Sequence, residues 1–159
     1  MKSRLSAKSR ANITRLLTME TKMLGEILQE ADLVSSWQIE AALQDKLQYP
    51  HLKLGEILAQ KELVKLTTAD FFVQDWTKAV MESKKNVLGY YLQQAAILDS
   101  EQIEFILAQQ KISGVRFGTV AVLQGFLKST TLDFFLANLF PEELGVSPFI
   151  NMRRGASLF

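Results

Sequence analysis

Cysteine is absent from the 159 residues, and histidine occurs once, at position 51. The first absence excludes disulfide frameworks, thiolate metal sites and thiol nucleophiles, and fits a reducing compartment. The second leaves a single candidate for imidazole chemistry, and His51 stands beside Pro50 in a connecting stretch without a second histidine, where it is expected to be solvated. Proline is held to 3 residues and glycine to 8, so little interrupts regular structure. No apolar run approaches the ~18 residues of a membrane-spanning helix, and the start of the chain lacks a signal-peptide apolar segment. A cytoplasmic protein without membrane insertion is expected. An excess of either charge is missing too: 18 Lys and Arg face 17 Asp and Glu, a formal net charge of +1. The basic footprint of a nucleic-acid binder is therefore not present.

Hydrophobic residues make up 48% of the chain, enough to fill a core. They recur at helical spacing, as in Leu24, Ile27 and Leu28 and again in Ile39, Ala42 and Leu43. The reading is all-α. Residues 1–21 form a basic segment carrying Lys2, Arg4, Lys8, Arg10 and Arg15, in which helical periodicity begins only near Ile13. Residues 141–159, broken by Pro141, Gly145, Pro148 and Gly155, read as an irregular tail. The basic segment and Arg153-Arg154 are either solvated or contacts for an anionic partner.

Between these ends the chain repeats itself. Residues 24–46 align without a gap onto 88–110, pairing Leu24 with Leu88, Gly25 with Gly89, Leu28 with Leu92, Ala31 with Ala95, Ile39 with Ile103 and Leu43 with Leu107. Lys65 to Phe72 recurs as Lys128 to Phe135. Each half is itself a pair, because an apolar residue followed by glycine opens every quarter: Leu24-Gly25, Leu54-Gly55, Leu88-Gly89 and Phe117-Gly118. The expected fold is four quarter-repeats, each a short helix, a turn and a second helix, in duplicated helix-turn-helix pairs packed as one or two small helical domains. The halves run over residues 22–80 and 81–140. Capping signals open the second helices: Ser35 with Gln38, Asp99 with Gln102, and the T-x-x-D pairs Thr67 with Asp70 and Thr130 with Asp133.

A half of about 60 residues buries too little surface to be comfortably stable alone, so the halves are expected to pack together. Phe71-Phe72 and Phe134-Phe135 point roughly 100° apart around a helix and call for contact on two sides. Either all four are core, or part of that face receives another protein. Catalysis finds little footing. Glu26 and Glu56 follow their glycines, but Tyr90 and Thr119 take that place in the other quarters. A helix N-terminal carboxylate favoured by the macrodipole explains them without chemistry. No G-x-x-x-x-G-K-[ST] phosphate loop occurs, so nucleotide hydrolysis is not expected.

The quarter plan resembles the MshEN-type N-terminal domains of type II secretion and type IV pilus assembly ATPases, without the ATPase domain. The resemblance covers residues 23 to about 139 in two tandem units. That repeat runs Arg-Leu-Gly, apolar positions at helical spacing, a turn, and a second helix with two leucines followed by Gln; some members bind cyclic di-GMP. Here Met23 stands for the first Arg, with Leu24 and Gly25 kept and Lys46 in place of Gln. Lys53, Leu54 and Gly55 open the second quarter, which has Trp76 at the Gln position. Val87, Leu88, Gly89 and Gln110 mark the third, and Arg116, Phe117, Gly118 and Leu139 the fourth.

The resemblance implies a ligand set drawn from Leu88, Gly89, Leu92, Ile103, Leu107, Gln110, Arg116, Phe117 and Gly118 in the second unit. In the first unit it implies Leu24, Gly25, Lys53, Leu54 and Gly55. Glycine would let backbone approach the ligand, Arg would supply a planar fork, and an apolar wall would bury bases. Because the scaffold signals survive better than the polar ones, the leading expectation is a non-enzymatic adaptor or regulator that needs no cofactor. It would bind another protein, with Phe71, Phe72, Phe134 and Phe135 as the contact face and pilus or secretion machinery as the source of the partner. The alternative is a cyclic di-GMP receptor using the second unit.

Overall fold

The computed structural model describes residues 23–146. The basic segment 1–21 and the tail beyond 146, with Arg153-Arg154, lie outside the described residues. Helices alone make up the regular structure of the described chain, and no strand occurs among the described residues. They run as α1 (residues 23–30), α2 (Ser36–Gln48), α3 (Leu54–Gln60), α4 (Leu66–Asp70), α5 (Trp76–Met81), α6 (Leu88–Gln94), α7 (Ser100–Ser113), α8 (Phe117–Leu123) and α9 (Ser129–Leu139). Among the described residues no helix is long and apolar enough to cross a membrane. Pro141–Val146 forms a 3-10 helix, so the first residues of the stretch expected to be irregular from 141 are helical.

One turn recurs after each short helix. Asp32, Glu62, Ala96 and Gly125 all adopt positive φ, at 55°, 58°, 54° and 74°. Each lies seven residues after a glycine of the apolar-Gly pairs. The N–H groups of Leu33, Leu63, Ile97 and Phe126 reach back to the carbonyls of Leu28, Leu58, Leu92 and Ala121 at 2.9–3.0 Å. This is the Schellman closure, in which a left-handed residue turns the chain and satisfies carbonyls at the helix end. Only one of the four left-handed positions holds glycine. Ala96 has no side-chain group to compensate its conformation, so Ala96→Gly is expected to stabilise the protein by about 1 kcal/mol, raising Tm by about 2–4 °C in a thermal melt.

The long second helices begin in two ways. Ser35 and Gln38 form a complete capping box, with the Ser35 Oγ accepting from the Gln38 N–H at 3.3 Å and the Gln38 side chain accepting from the Ser35 N–H at 2.8 Å. Asp99 and Gln102 do the same at 2.8 and 2.9 Å. The T-x-x-D signals are not caps. Lys65 and Lys128 are the N-cap residues of α4 and α9 and carry no side-chain cap. Thr67 and Thr130 sit inside the first turn, and the threonines that follow them send their hydroxyls out of the helix: Thr68 Oγ1 donates to the Ala95 carbonyl at 2.6 Å, and Thr131 Oγ1 to the Ala31 carbonyl at 2.7 Å. Each buried hydroxyl thereby ties a helix of one half to the turn of the other.

α4 continues into α5 through a π turn, Phe71–Asp75. Residues five apart on an α-helix lie roughly 140° from one another. Here the Trp76 N–H reaches the Phe71 carbonyl, so both side chains fall on one side. Phe71, Phe72 and Trp76 are buried, and Trp76 stacks on Phe134 of α9 at 5.1 Å and 15°. Phe135, fully buried, meets Trp76 edge-on at 5.4 Å. A single apolar core thus passes through both halves, from Leu28 and Leu58 to Leu92, Ile106 and Leu132.

Candidate functional site

In the second half, the N-termini of α6 and α8 converge on α9 around an open pocket of about 300 Å³. Leu88, Arg116, Phe117 and Gly118, four of the residues expected in a ligand site, line it. Glycine makes the convergence possible. A methyl group at Gly89 would stand 3.0 Å from the Phe117 ring, and one at Gly118 would stand 2.7 Å from Leu132 Cδ1. The space beside each glycine is therefore taken by a side chain of the same chain, and both serve close helix packing. Leu132, Leu136 and Phe140 add the apolar floor.

The polar rim is mixed. Arg116 is half-buried as the N-cap residue of α8, and Glu143 brings a carboxylate to the same rim. Lys85 also lines the pocket, but its ammonium donates to the Ala79 and Val80 carbonyls, each at 2.8 Å, and to the Glu82 carbonyl. It thus closes the C-terminal end of α5, where a cation is favoured by the helix dipole. Lys85, Asn86 and Glu143 had no signal in the repeat pattern, because they belong to the connections rather than to the quarters.

The other expected ligand residues lie elsewhere. Leu92 is fully buried, Ile103 packs partly against the core, Gln110 is half-buried on α7, and Leu107 is 50% exposed. None of these lines the pocket. In the first half Leu24, Gly25, Leu54 and Gly55 are buried, while Lys53 is exposed at the start of α3. Gly25 lies under Ile39, and a methyl group at Gly55 would stand 2.9 Å from the Ala69 Cβ. That neighbour is fixed to its own backbone and cannot rotate away. Gly55→Ala is expected to lose about 1–3 kcal/mol to overpacking, offset in part by about 1 kcal/mol of helix propensity. Urea denaturation against Gly25→Ala, whose flexible Ile39 neighbour can yield, would check the ranking.

The partner face expected at Phe71, Phe72, Phe134 and Phe135 requires correction: all four are buried and pack on one another across the two halves, Phe72 lying 6.1 Å from Phe135 and 6.2 Å from Phe134. Their second side is occupied by the other half, not by a partner. Among the large apolar side chains that are exposed, four lie on α2 and its end, where Trp37 is 68% exposed and Leu47 78%, with Leu43 and Tyr49 also exposed. At roughly 100° per residue, Trp37, Leu43 and Leu47 fall within about a third of the helix circumference. Ile39 and Ala42, buried, take the adjoining face. His51 is exposed, edge-on to Tyr49 at 6.4 Å. Among the described residues no group of three His, Cys, Asp or Glu is placed to hold a metal ion.

No family model matches the chain. No solved structure matches it either. An uncharacterized protein of Picosynechococcus sp. (strain PCC 7002) is 36% identical over 124 residues, which span 78% of this chain and 67% of that protein. At this identity and coverage, the chain belongs to the same family as the Picosynechococcus protein.

Proposed function

We propose that the protein is a non-enzymatic adaptor or regulatory module, built as two tandem MshEN-like units of paired helical hairpins, that binds another protein through α2. The tandem reading is supported by the turn that recurs at Asp32, Glu62, Ala96 and Gly125 and by the matching threonine bonds of Thr68 and Thr131. The observation that carries the binding reading is the exposure of Trp37, Leu43, Leu47 and Tyr49 on one stretch of the first half. Trp and Tyr supply large contact area at small entropic cost and dominate binding energy at interfaces, and an apolar patch of this kind on a charged surface marks protein contact. The family resemblance adds the cytoplasmic face of pilus or secretion machinery as the source of the partner. A photo-crosslinking residue in place of Leu47, introduced in the native cell, is expected to give one discrete adduct that disappears with Trp37→Asp. No adduct, or one indifferent to that change, would count against this surface.

A second reading, a cyclic di-GMP receptor, is favoured by one specific feature, the meeting of Leu88, Arg116, Phe117 and Gly118 in a single pocket. Against it stand the filled spaces over Gly89 and Gly118 and the Glu143 carboxylate at the rim. Calorimetry with cyclic di-GMP separates the readings. Heat and thermal stabilisation that vanish with Arg116→Ala would establish the receptor, and their absence at large ligand excess would end it.

A further inference from the structure

The two seams between the halves are near copies of one another, and one copy lacks a part. At the first seam Lys128 Nζ donates to the Asp32 carbonyl at 2.9 Å and lies 3.9 Å from its carboxylate. Thr130 Oγ1 donates to the same carboxylate at 2.6 Å, and Thr131 Oγ1 donates to the Ala31 carbonyl. At the second seam Lys65 Nζ donates to the Ala96 carbonyl at 3.2 Å and Thr68 Oγ1 to the Ala95 carbonyl. Lys65, Thr67 and Thr68 correspond to Lys128, Thr130 and Thr131, and Ala95 to Ala31. Ala96 takes the place of Asp32, so the lysine and threonines recur while the turn residue itself carries no carboxylate.

Beside that missing carboxylate lies an open hollow of about 220 Å³. Leu33, Leu63, Val64 and Ile97 supply its apolar walls, and Lys65 and Ala96 stand at its edge. We propose that this hollow between the halves binds a small monocarboxylate with an aliphatic body, its carboxylate taking the position that Asp32 fills at the other seam. The volume equals about seven waters at roughly 30 Å³ each and accommodates a chain of about six carbons. Charge pairing with Lys65 orients the ligand, and burial of methylene groups against the apolar walls holds it. The site is separate from α2 and from the Arg116 pocket, and stands or falls without either.

Sodium hexanoate is the probe, titrated into the isotopically labelled full chain while amide resonances are followed by NMR. Saturable shifts are expected for residues 63–68 and 96–97 at ligand concentrations on the order of millimolar, with no matching change at residues 128–131. Hexanol, equal in length but uncharged, is expected to bind at least about tenfold more weakly, and Lys65→Gln to produce a similar loss. Ala96→Asp rebuilds the carboxylate from within, and is expected to suppress hexanoate binding. Equal binding of hexanol, indifference to Lys65→Gln, or the absence of a saturable shift at these residues would each overturn the proposal. Should Ala96→Asp not fold, the hexanol comparison and Lys65→Gln decide it on their own.

Discussion

Phe135→Ala is expected to cost about 3–5 kcal/mol, the usual loss when a buried phenyl ring is removed and its cavity only partly collapses. The ring is fully buried and is surrounded by Phe72 at 6.1 Å, Trp76 at 5.4 Å and Phe134 at 5.8 Å. Two of these neighbours belong to the first half and one to the second. Collapse around the void would require α5 and α9 to approach, yet Trp76 already stacks on Phe134 and holds them apart. Since a domain of this size has about 5–15 kcal/mol in total, the variant would sit near the edge of folding. The informative readout is cooperativity. If that cluster is what makes the halves one unit, NMR amide resonances of residues 24–60 and of residues 88–123 should be lost in urea at one midpoint in the parent protein. They should separate in Phe135→Ala, with a reduced m-value for each transition.

The helical class and the places where helices begin were legible because they depend on neighbours in the chain. Ser35 with Gln38 and Asp99 with Gln102 cap the helices they open, and apolar residues three and four apart do face the core. Thr67 and Thr130 mislead because the T-x-x-D pattern is identical whether the hydroxyl caps its own helix or stands inside the first turn. What decides is a carbonyl or carboxylate roughly a hundred positions away, as in the bonds of Thr130 to Asp32 and Thr131 to Ala31. The phenylalanine pairs were ambiguous for the same reason. Adjacent aromatic residues announce contact on two sides of a helix, but the identity of the second body is a long-range fact, and here it is the other half. The π turn leaves no periodic trace, since it shifts one residue and the apolar pattern resumes. In the pocket, the Leu-Gly and Arg-Phe-Gly signals located the meeting of α6 and α8. The rim residues Lys85 and Glu143 come from connections that the repeat does not contain.

The reciprocal threonine bonds carry the second large effect. Thr→Val preserves shape while removing the hydroxyl, so Thr131→Val leaves the Ala31 carbonyl without this donor in a buried setting, at a cost of about 1–3 kcal/mol. Thr68→Val does the same to the Ala95 carbonyl, again for about 1–3 kcal/mol. The question is whether the two costs add. The bonds lie on different seams and share no partner, and distant independent sites usually add to within about 0.5 kcal/mol. Both seams, however, fix the same rigid-body relation between the halves. Once one hydroxyl is gone, the other half can shift slightly and weaken the remaining bond, so part of the second loss is already incurred in the first variant. The double variant is therefore expected to be destabilised by about 0.5–1 kcal/mol less than the sum of the single variants. The seams also differ in strength: Lys128 and Thr130 still grip Asp32 when Thr131 is altered, whereas among the described residues Lys65 alone backs Thr68. Thr68→Val should accordingly be the more damaging single change. Equal losses that add without remainder would show that the halves are held by the aromatic cluster alone, with the threonine bonds as local fastenings.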